Sequence, residues 1–468
     1  MRSAVVIGGS MAGMCAARVL SDHFDKVTIV DRDSYPAGAQ HRVGVPQSHH
    51  AHAMLARGLV ELERLFPGFE RGAVARGALK LDTNESFAIL RTWGWGERRR
   101  AGLEALWASR PLTETVVREK LRTLGNVELR ERASAVDMRI ERSERAKVTG
   151  VVVNGDAGPE TLAAELVVDA SGRGSKAPHW FEMAGLPRPK DDVVEAFAGY
   201  ASRFYRRPRP EKRPKDWWWD GLWIEGIPPA FPRGGVAFPI EDNLWLVTAV
   251  GFCKDYPPGD EPGFLSFLET LASPIVAQAV RMCEPLGDVV VNRSTTNRFR
   301  HYETWSAELD GFLAIGDSVC AFNPVYGQGM STAAASAGEL ERAIQAVGVG
   351  AEALPRAHFE AQARFLTGVW SLAAGADFIW PTTSGDRPRG SSFMGPYLRL
   401  LGESTHCDPD VLRRMVRIFH LLDSPTAAVT PSAVGAVLLS TLKRRLRGGL
   451  RAPSLERGSL PPLVATTA

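Results

Sequence analysis

Apolar positions recur with two periods near the N-terminus. Residues 3–7 are a short apolar run that ends in glycines. Residues 11–20 then carry small and apolar residues at helical spacing, among them Ala12, Gly13, Ala16 and Ala17. Residues 26–30 form a second apolar run, closed by Asp31. Strand, tight turn, helix and strand within about 30 residues make one βαβ unit, whose crossover is right-handed. Beyond it, residues 44–65 begin as a loop and continue as a helix, and 112–124 also read as helix. A buried-type strand at 165–168 flows into Ser171-Gly172-Arg173-Gly174-Ser175. Residues 186–290 change character: they are rich in Trp, Phe, Tyr and Pro, with strand-like patches such as 244–250. A strand at 312–315, a small-residue helix at 329–347 and a helical region from about residue 350 complete the pattern.

Length divides this pattern into domains, since 468 residues exceed one small core. We expect a discontinuous nucleotide-binding domain at 1–185 and 290–348, with a substrate-facing excursion at 73–100. A substrate-binding β-sheet domain is expected at 186–289, a helical region at 349–455 and a disordered tail at 456–468. The net charge of +3 is far from the concentrated basic bias of a nucleic-acid binder, and no nucleic acid is expected as a partner. Cys15, Cys253, Cys283, Cys320 and Cys407 are scattered without a Cys-x-x-Cys. Neither a disulfide framework nor a metal site is expected, which fits a reducing cytoplasm. No signal peptide and no apolar run long enough to span a bilayer is evident.

The first glycine turn carries chemistry. It reads Gly8-Gly9-Ser10-Met11-Ala12-Gly13, with Ser10 where G-x-G-x-x-G has its middle glycine. A small residue there lets backbone approach a pyrophosphate, the following helix offers free N–H groups, and Gly13 permits close helix–strand packing. Asp31 stands where an acid accepts hydrogen bonds from an adenosine ribose. Arg32 follows it, but the acid disfavours a 2′-phosphate, so NADP is not expected in this pocket.

A second motif selects the dinucleotide. Residues Gly311-Phe312-Leu313-Ala314-Ile315-Gly316-Asp317-Ser318 run from a strand into Gly-Asp, and Phe322-Asn323-Pro324-Val325-Tyr326-Gly327-Gln328-Gly329-Met330-Ser331 leads into a helix. This pairing resembles the flavoprotein family that includes p-hydroxybenzoate hydroxylase, squalene epoxidase and geranylgeranyl reductase. The resemblance covers nearly the whole chain. It implies an α/β, glutathione-reductase-like Rossmann-type FAD domain with an inserted mixed or antiparallel β-sheet substrate domain and a helical C-terminal region. It implies that Asp317 binds the ribityl chain, and that the stretch with Pro324, Gly327, Gly329 and Met330 places the backbone N–H groups of its non-proline residues and a helix N-terminus beneath the isoalloxazine. Pro324, Val325 and Tyr326 are then pocket candidates, and Arg110, heading Arg-Pro-Leu-Thr-Glu-Thr-Val-Val-Arg, helps hold the cofactor. Arg42, Val45 and Gly172 join the candidate flavin contacts.

Two stretches narrow the resemblance: Gly44-Val45-Pro46-Gln47-Ser48-His49-His50-Ala51-His52 and Asn297-Arg298-Phe299-Arg300-His301-Tyr302. With the 322–330 stretch they look like the flavin epoxidases of polyether polyketide biosynthesis, part of antibiotic and other secondary metabolism. The implied reaction is epoxidation of an alkene in a small apolar substrate, a polyene polyketide or terpenoid, by O2 through a C4a-hydroperoxyflavin. No single catalytic side chain is implied. The sequence departs from the aromatic hydroxylases of this fold at Asp169-Ala170-Ser171-Gly172, which lacks their Asp-Gly pair. Reducing equivalents from NAD(P)H then arrive either directly or through a separate reductase partner.

Competing readings stay open. Aromatic hydroxylation of a polycyclic or phenolic natural product would use a base, with His49, His50, His52 and His301 as candidates. Halogenation is weakened because Trp93-Gly94-Trp95-Gly96 lacks the Ile-Pro of Trp-x-Trp-x-Ile-Pro. Prenyl double-bond reduction would need no oxygen, and a flavin-binding protein without catalysis is a fifth reading. Trp217, Trp218, Trp219 and Trp223 suit either a tunnel wall or sheet core. Arg203, Arg206, Arg207 and Arg209 read as a solvated face. Residues 434–446, apolar and then basic, read as a helix docked on its own protein, with weak contact to an anionic membrane surface as the alternative.

Overall fold

The computed structural model describes residues 2–142, 144–387, 395–446 and 458–462. At its centre lies a five-stranded sheet in the order 312–314, 166–169, 3–7, 26–30, 127–130. Every pairing in it is parallel. Its strands are apolar on both sides because both faces are covered. One face carries the helices Met11–Leu20 and Gly329–Val347, whose alanines pack into one core with Met14, Leu313 and Leu340. The other face packs Val5, Ile7 and Phe312 against Val151, Val153, Phe181 and Trp370. These come from the strand Ala146–Gly155, a flanking helix and the long helix Leu354–Asp377. The sequence elements at 3–7, 11–20, 26–30 and 329–347 occupy the residues expected of them.

A seven-stranded sheet forms the second body, in the order 284–292, 199–206, 244–251, 233–240, 221–224, 87–91, 94–95. It is antiparallel except where Gly221–Ile224 runs parallel to Phe87–Arg91. The 73–100 excursion therefore supplies two of its strands, and Glu284–Asn292 runs across the expected boundary at 289/290. Strand periodicity gives this sheet two unlike faces. One is closed by the helices Glu261–Glu269 and Ile275–Val280, with Trp219, Trp245, Leu268 and Val276 between them. The other carries Trp223, Val236, Phe238 and Thr248 toward a cavity.

That division separates the tryptophans. Trp219 stacks on Trp245 with ring centroids 5.5 Å apart, and Trp217 lies 4.7 Å from Trp219, so both belong to the sheet core. Trp223 alone of the four lines the cavity. The arginine reading needs correction at two positions. Arg203 and Arg207 are buried, while Arg206 and Arg209 are exposed. Arg203 donates to the Gly287 carbonyl (2.9 Å) and pairs with Glu261 (2.9 Å), and Arg207 lies over the Trp245 ring at 5.9 Å. Their stems cover apolar surface and their heads find acceptors, which a solvated face would not require.

The C-terminal region is helical at Gly395–Cys407, Pro409–Phe419 and Pro431–Leu446. The last of these buries Ala433, Val437, Ser440 and Thr441 and leaves Leu438, Leu439, Leu442 and Leu446 exposed. Among the described residues no helix is long and apolar enough to cross a membrane. Part of the tail expected to be disordered is anchored: Gly458 N–H donates to Ala272 O (2.8 Å), and Ser459 O accepts from Ser273 Oγ (2.6 Å). Residues 456–457 and 463–468 of that tail lie outside the described residues.

Candidate functional site: a cavity between two sheets

A cavity of about 960 Å³ lies between the parallel sheet, the seven-stranded sheet and the C-terminal helices. Its polar end is built by the first glycine turn. Gly8, Gly9, Ser10, Met11 and Ala12 line it, and Gly13 lies just behind. A Cβ on Gly13 would fall 1.8 Å from the Gly8 carbonyl oxygen, and one on Gly9 would fall 1.6 Å from the Tyr35 hydroxyl. Close approach of backbone requires glycine at Gly13, and at Gly9 a side chain would displace Tyr35 from the turn. The Met11–Leu20 helix begins after an extended Ser10 with no side-chain cap. Its first N–H groups thus remain free for an anion.

Ser10 proves to be a junction as well as a small residue. Its hydroxyl donates to Glu114 (2.6 Å) and accepts from Arg110 (2.7 Å). Arg110 also pairs with Glu114 at 2.9 Å. Arg42 completes the group, with ion pairs to Asp31 (3.2 Å), Asp33 (3.2 Å) and Glu114 (2.9 Å). Burial raises the Glu114 carboxyl, but Arg110, Arg42 and the Ser10 hydroxyl outweigh it and hold the group down to about 2. Arg42 is thereby tied up by carboxylates and acts as a clamp on the glycine turn. Asp31 is almost fully engaged too. Its Oδ2 accepts from Gly9 N–H (2.9 Å), Tyr35 Oη (3.2 Å) and Arg42, and its Oδ1 from Asp33 N–H (2.9 Å). The lone pair left on Oδ1 is what a ribose hydroxyl would meet. Arg32 and Val45 line the same end.

The second motif reaches the cavity from the opposite side. Asp317 lines it, 3.4 Å from Arg173. Gly172 lines it as well, and its N–H donates to Ser318 Oγ at 3.0 Å. Asp169, by contrast, is buried and accepts from Ser171 N–H (2.9 Å), Ser171 Oγ (2.6 Å) and Ser175 Oγ (2.5 Å), so it holds its own loop. Pro324, Val325, Tyr326, Gly327, Gly329 and Met330 form the wall where the Gly329–Val347 helix begins, again with no side-chain cap. Two uncapped helix N-termini therefore face one cavity. This donor chemistry fits FAD, which has a pyrophosphate and a ring edge that becomes anionic on reduction.

Beneath the 324–326 turn sits a residue with no sequence motif to mark it. Asp377, at the end of Leu354–Asp377, is fully buried and accepts from Tyr326 Oη (2.5 Å), Asn297 Nδ2 (2.5 Å) and Asn323 Nδ2 (3.1 Å). Burial raises its carboxyl to about 6, and these three donors offset the rise only in part. Trp380 and Phe419, from the helical region, also line the cavity.

The four histidines part company. His50 and His52 line the cavity, and burial pushes them down to about 3 and about 4. His49 stacks on His41 at 3.8 Å away from the lining. His301 lies outside it, paired with Asp192 (3.0 Å) and Glu303 (2.7 Å), and is no base for this site. The far end is aromatic, with Trp93, Trp107, Trp223, Phe238 and Phe419.

Comparison with known proteins agrees with this geometry. The family model "FAD dependent oxidoreductase" matches residues 4–187. Protein Rv3254 of Mycobacterium tuberculosis (strain ATCC 25618 / H37Rv) is 30% identical over 466 residues, covering 95% of this chain and 94% of its own. The solved flavin-dependent brominase Bmp2 superposes with a TM-score of 0.65 at 15% identity, over 95% of this chain and 99% of that one. The p-nitrophenol 4-monooxygenase PnpA of Pseudomonas putida DLL-E4 gives 0.62 at 18% identity, over 91% and 100%. At such identities the two structures share the fold. The chain belongs to one family with Protein Rv3254, and its first 187 residues carry the match to the FAD-dependent oxidoreductase model.

Proposed function

We propose that this protein is an FAD-dependent monooxygenase that epoxidises an alkene of an apolar secondary metabolite, a polyene polyketide or terpenoid. The observation that carries this reading is one cavity with a dinucleotide-type polar end and an aromatic far end. Bound FAD supplies the oxygen-activating chemistry. The chain's own residues bind, orient and keep the site dry. The two helix N-termini hold anionic groups, and Trp107, Trp223 and Phe238 exclude water and press the substrate toward the 324–329 wall. A second reading, hydroxylation of a phenol, is supported by His52, a neutral imidazole on the cavity wall that could accept a proton.

Reducing equivalents come from NAD(P)H, directly or through a separate reductase, and the missing Asp-Gly pair at Asp169-Ala170 supports the second route. The five free cysteines support a reducing cytoplasmic setting. The exposed Leu438, Leu439 and Leu442 beside Lys443 and Arg445 support a weak membrane-surface contact, which flotation with anionic vesicles tests. For the reaction itself, the FAD-loaded, reduced protein is given ¹⁸O2 and a polyene. An epoxide carrying one labelled oxygen supports epoxidation, and a labelled phenol from a phenolic probe supports the second reading. Turnover of a prenyl substrate only without oxygen, or a chloride-dependent product, overturns both.

A further inference from the structure

Hydrogen-bond direction at His50 and His52 bears on which apolar molecules the cavity takes, and this inference rests on the oxygenase reading above. His52 Nδ1 lies 2.7 Å from the His50 carbonyl oxygen. A carbonyl only accepts, so in neutral His52 the proton sits on Nδ1 and Nε2 is a bare lone pair. His50 is set the other way. Its Nδ1 lies 2.9 Å from Ser202 Oγ, Ser202 Oγ lies 2.6 Å from Thr248 Oγ1, and Thr248 Oγ1 accepts the Ala51 N–H at 3.3 Å. Ser202 is 1% exposed, so its one proton goes to one of those two neighbours. If Ser202 donated to Thr248, the Thr248 proton would be left to the cavity that Thr248 lines, with no acceptor among the described residues. If Thr248 donates to Ser202 and Ser202 to His50 Nδ1, both hydroxyl protons of this network are accepted within the protein. His50 then carries its proton on Nε2. Burial keeps both rings neutral near pH 7, and both line the cavity with no partner for Nε2 among the described residues.

We propose that His50 and His52 are specificity-determining residues that select, among apolar molecules, those bearing a hydroxyl group: an alcohol, an enol or a phenol. His50 Nε2–H donates to the hydroxyl oxygen, and His52 Nε2 accepts from the hydroxyl hydrogen. A hydroxyl matches both because it accepts and donates at one atom. A ketone or an ether satisfies only His50, and a carboxylate leaves His52 facing a second acceptor.

Three probes on one apolar frame test this: cinnamyl alcohol accepts and donates, its methyl ether only accepts, and β-methylstyrene does neither. Calorimetric titration of the FAD-loaded full chain is expected to show the alcohol bound roughly five- to tenfold tighter than the ether, and the ether tighter than the hydrocarbon by a similar factor, about one hydrogen bond per step. His50→Phe should close the ether–hydrocarbon gap and His52→Phe the alcohol–ether gap, each leaving the other in place. Wild-type protein labelled with ¹⁵N-histidine gives an independent readout by NMR, with a protonated Nε2 expected for His50 and a protonated Nδ1 for His52. All three probes binding the FAD-loaded chain within twofold of one another would overturn the proposal, as would a His50 proton on Nδ1. A chain that takes up no FAD at all would instead overturn the oxygenase reading beneath it.

Discussion

The two ends of the cavity are built on different physics. The polar end depends on backbone: glycines that admit no Cβ, two uncapped helix N-termini, and an arginine–carboxylate cluster that fixes the turn. The aromatic end depends on side chains projecting from one face of a sheet, with helices added from the far C-terminal region. A backbone device tolerates almost no substitution, whereas an aromatic wall loses contact area gradually. The largest effect on FAD binding is therefore expected at Gly13. Gly13→Ala sets a Cβ 1.8 Å from the Gly8 oxygen, and the helix must move off the strand. We expect about 2–3 kcal/mol of strain and a loss of FAD affinity of roughly a hundredfold. Flavin absorbance after reconstitution measures the affinity, and unchanged FAD binding would remove the backbone account of this end.

Glu114 is expected to act chiefly on stability. Glu114→Gln leaves Arg42 and Arg110 buried with less counter-charge, at an expected cost of about 3–5 kcal/mol in a denaturant titration. The pH dependence has a definite sign. The carboxyl is lowered from 4.5 to about 2 in the folded chain, so its stabilisation is complete above pH 4.5 and is lost as pH falls toward 2. Wild-type protein should lose stability across that window, and Glu114→Gln should flatten this contribution. An equally steep acid limb in the variant would mean that other carboxylates govern it.

These two ends were also unequally legible in the sequence. The glycine turn, Asp31, Asp317 and the 324–330 stretch are local patterns, and local patterns survive without coordinates. The Arg42–Glu114–Ser10 cluster was half visible: Arg42 and Arg110 stood out as cofactor candidates, but Glu114 and Tyr35 have no motif, and only long-range folding brings them together. The aromatic end was least legible. Trp217, Trp219 and Trp223 lie within seven residues of one another, yet Trp217 and Trp219 precede the strand Gly221–Ile224 and pack in the core, whereas Trp223 stands on that strand and faces the cavity. The Arg203 and Arg207 heads looked solvated because sequence shows charge and hides the rings beneath it. Trp380 and Phe419 sat in what read only as helical packing.

Asp377 supports the 324–326 turn from beneath, and its effect is expected on stability and FAD affinity together. Asp377→Ala strands the Tyr326 hydroxyl and the amides of Asn297 and Asn323, at about 1–3 kcal/mol per unsatisfied group. The 324–326 turn should loosen, lowering both thermal stability and FAD affinity. Asp377→Asn keeps the volume and removes the titration. The carboxyl is raised from 3.8 to about 6 when folded, so its contribution to stability grows as pH falls from 6 toward 3.8 and is absent above 6. That gain should vanish in Asp377→Asn, as read from melting temperatures across pH 4–7. A variant that keeps the gain would place the titrating group elsewhere.

The smallest effect is expected at Trp223, and it sharpens the contrast most. Its ring lies 5.8 Å from Phe238 and 6.1 Å from Phe419, so it joins the sheet wall to the C-terminal helix that closes it. It is only partly buried, so truncation removes ligand contact more than it removes core. Trp223→Ala should weaken binding of an apolar probe by about tenfold, on the order of 1.4 kcal/mol, equivalent to losing roughly 55 Å² of apolar contact at 25 cal/mol per Å². FAD affinity should stay within twofold of wild type, because the two glycine motifs proposed to hold FAD follow strands of the parallel sheet. If FAD affinity fell together with probe binding, the two ends would be one cooperative unit. If only the probe were affected, the substrate wall could be reshaped without disturbing the flavin, which is how one flavin scaffold can serve different apolar substrates.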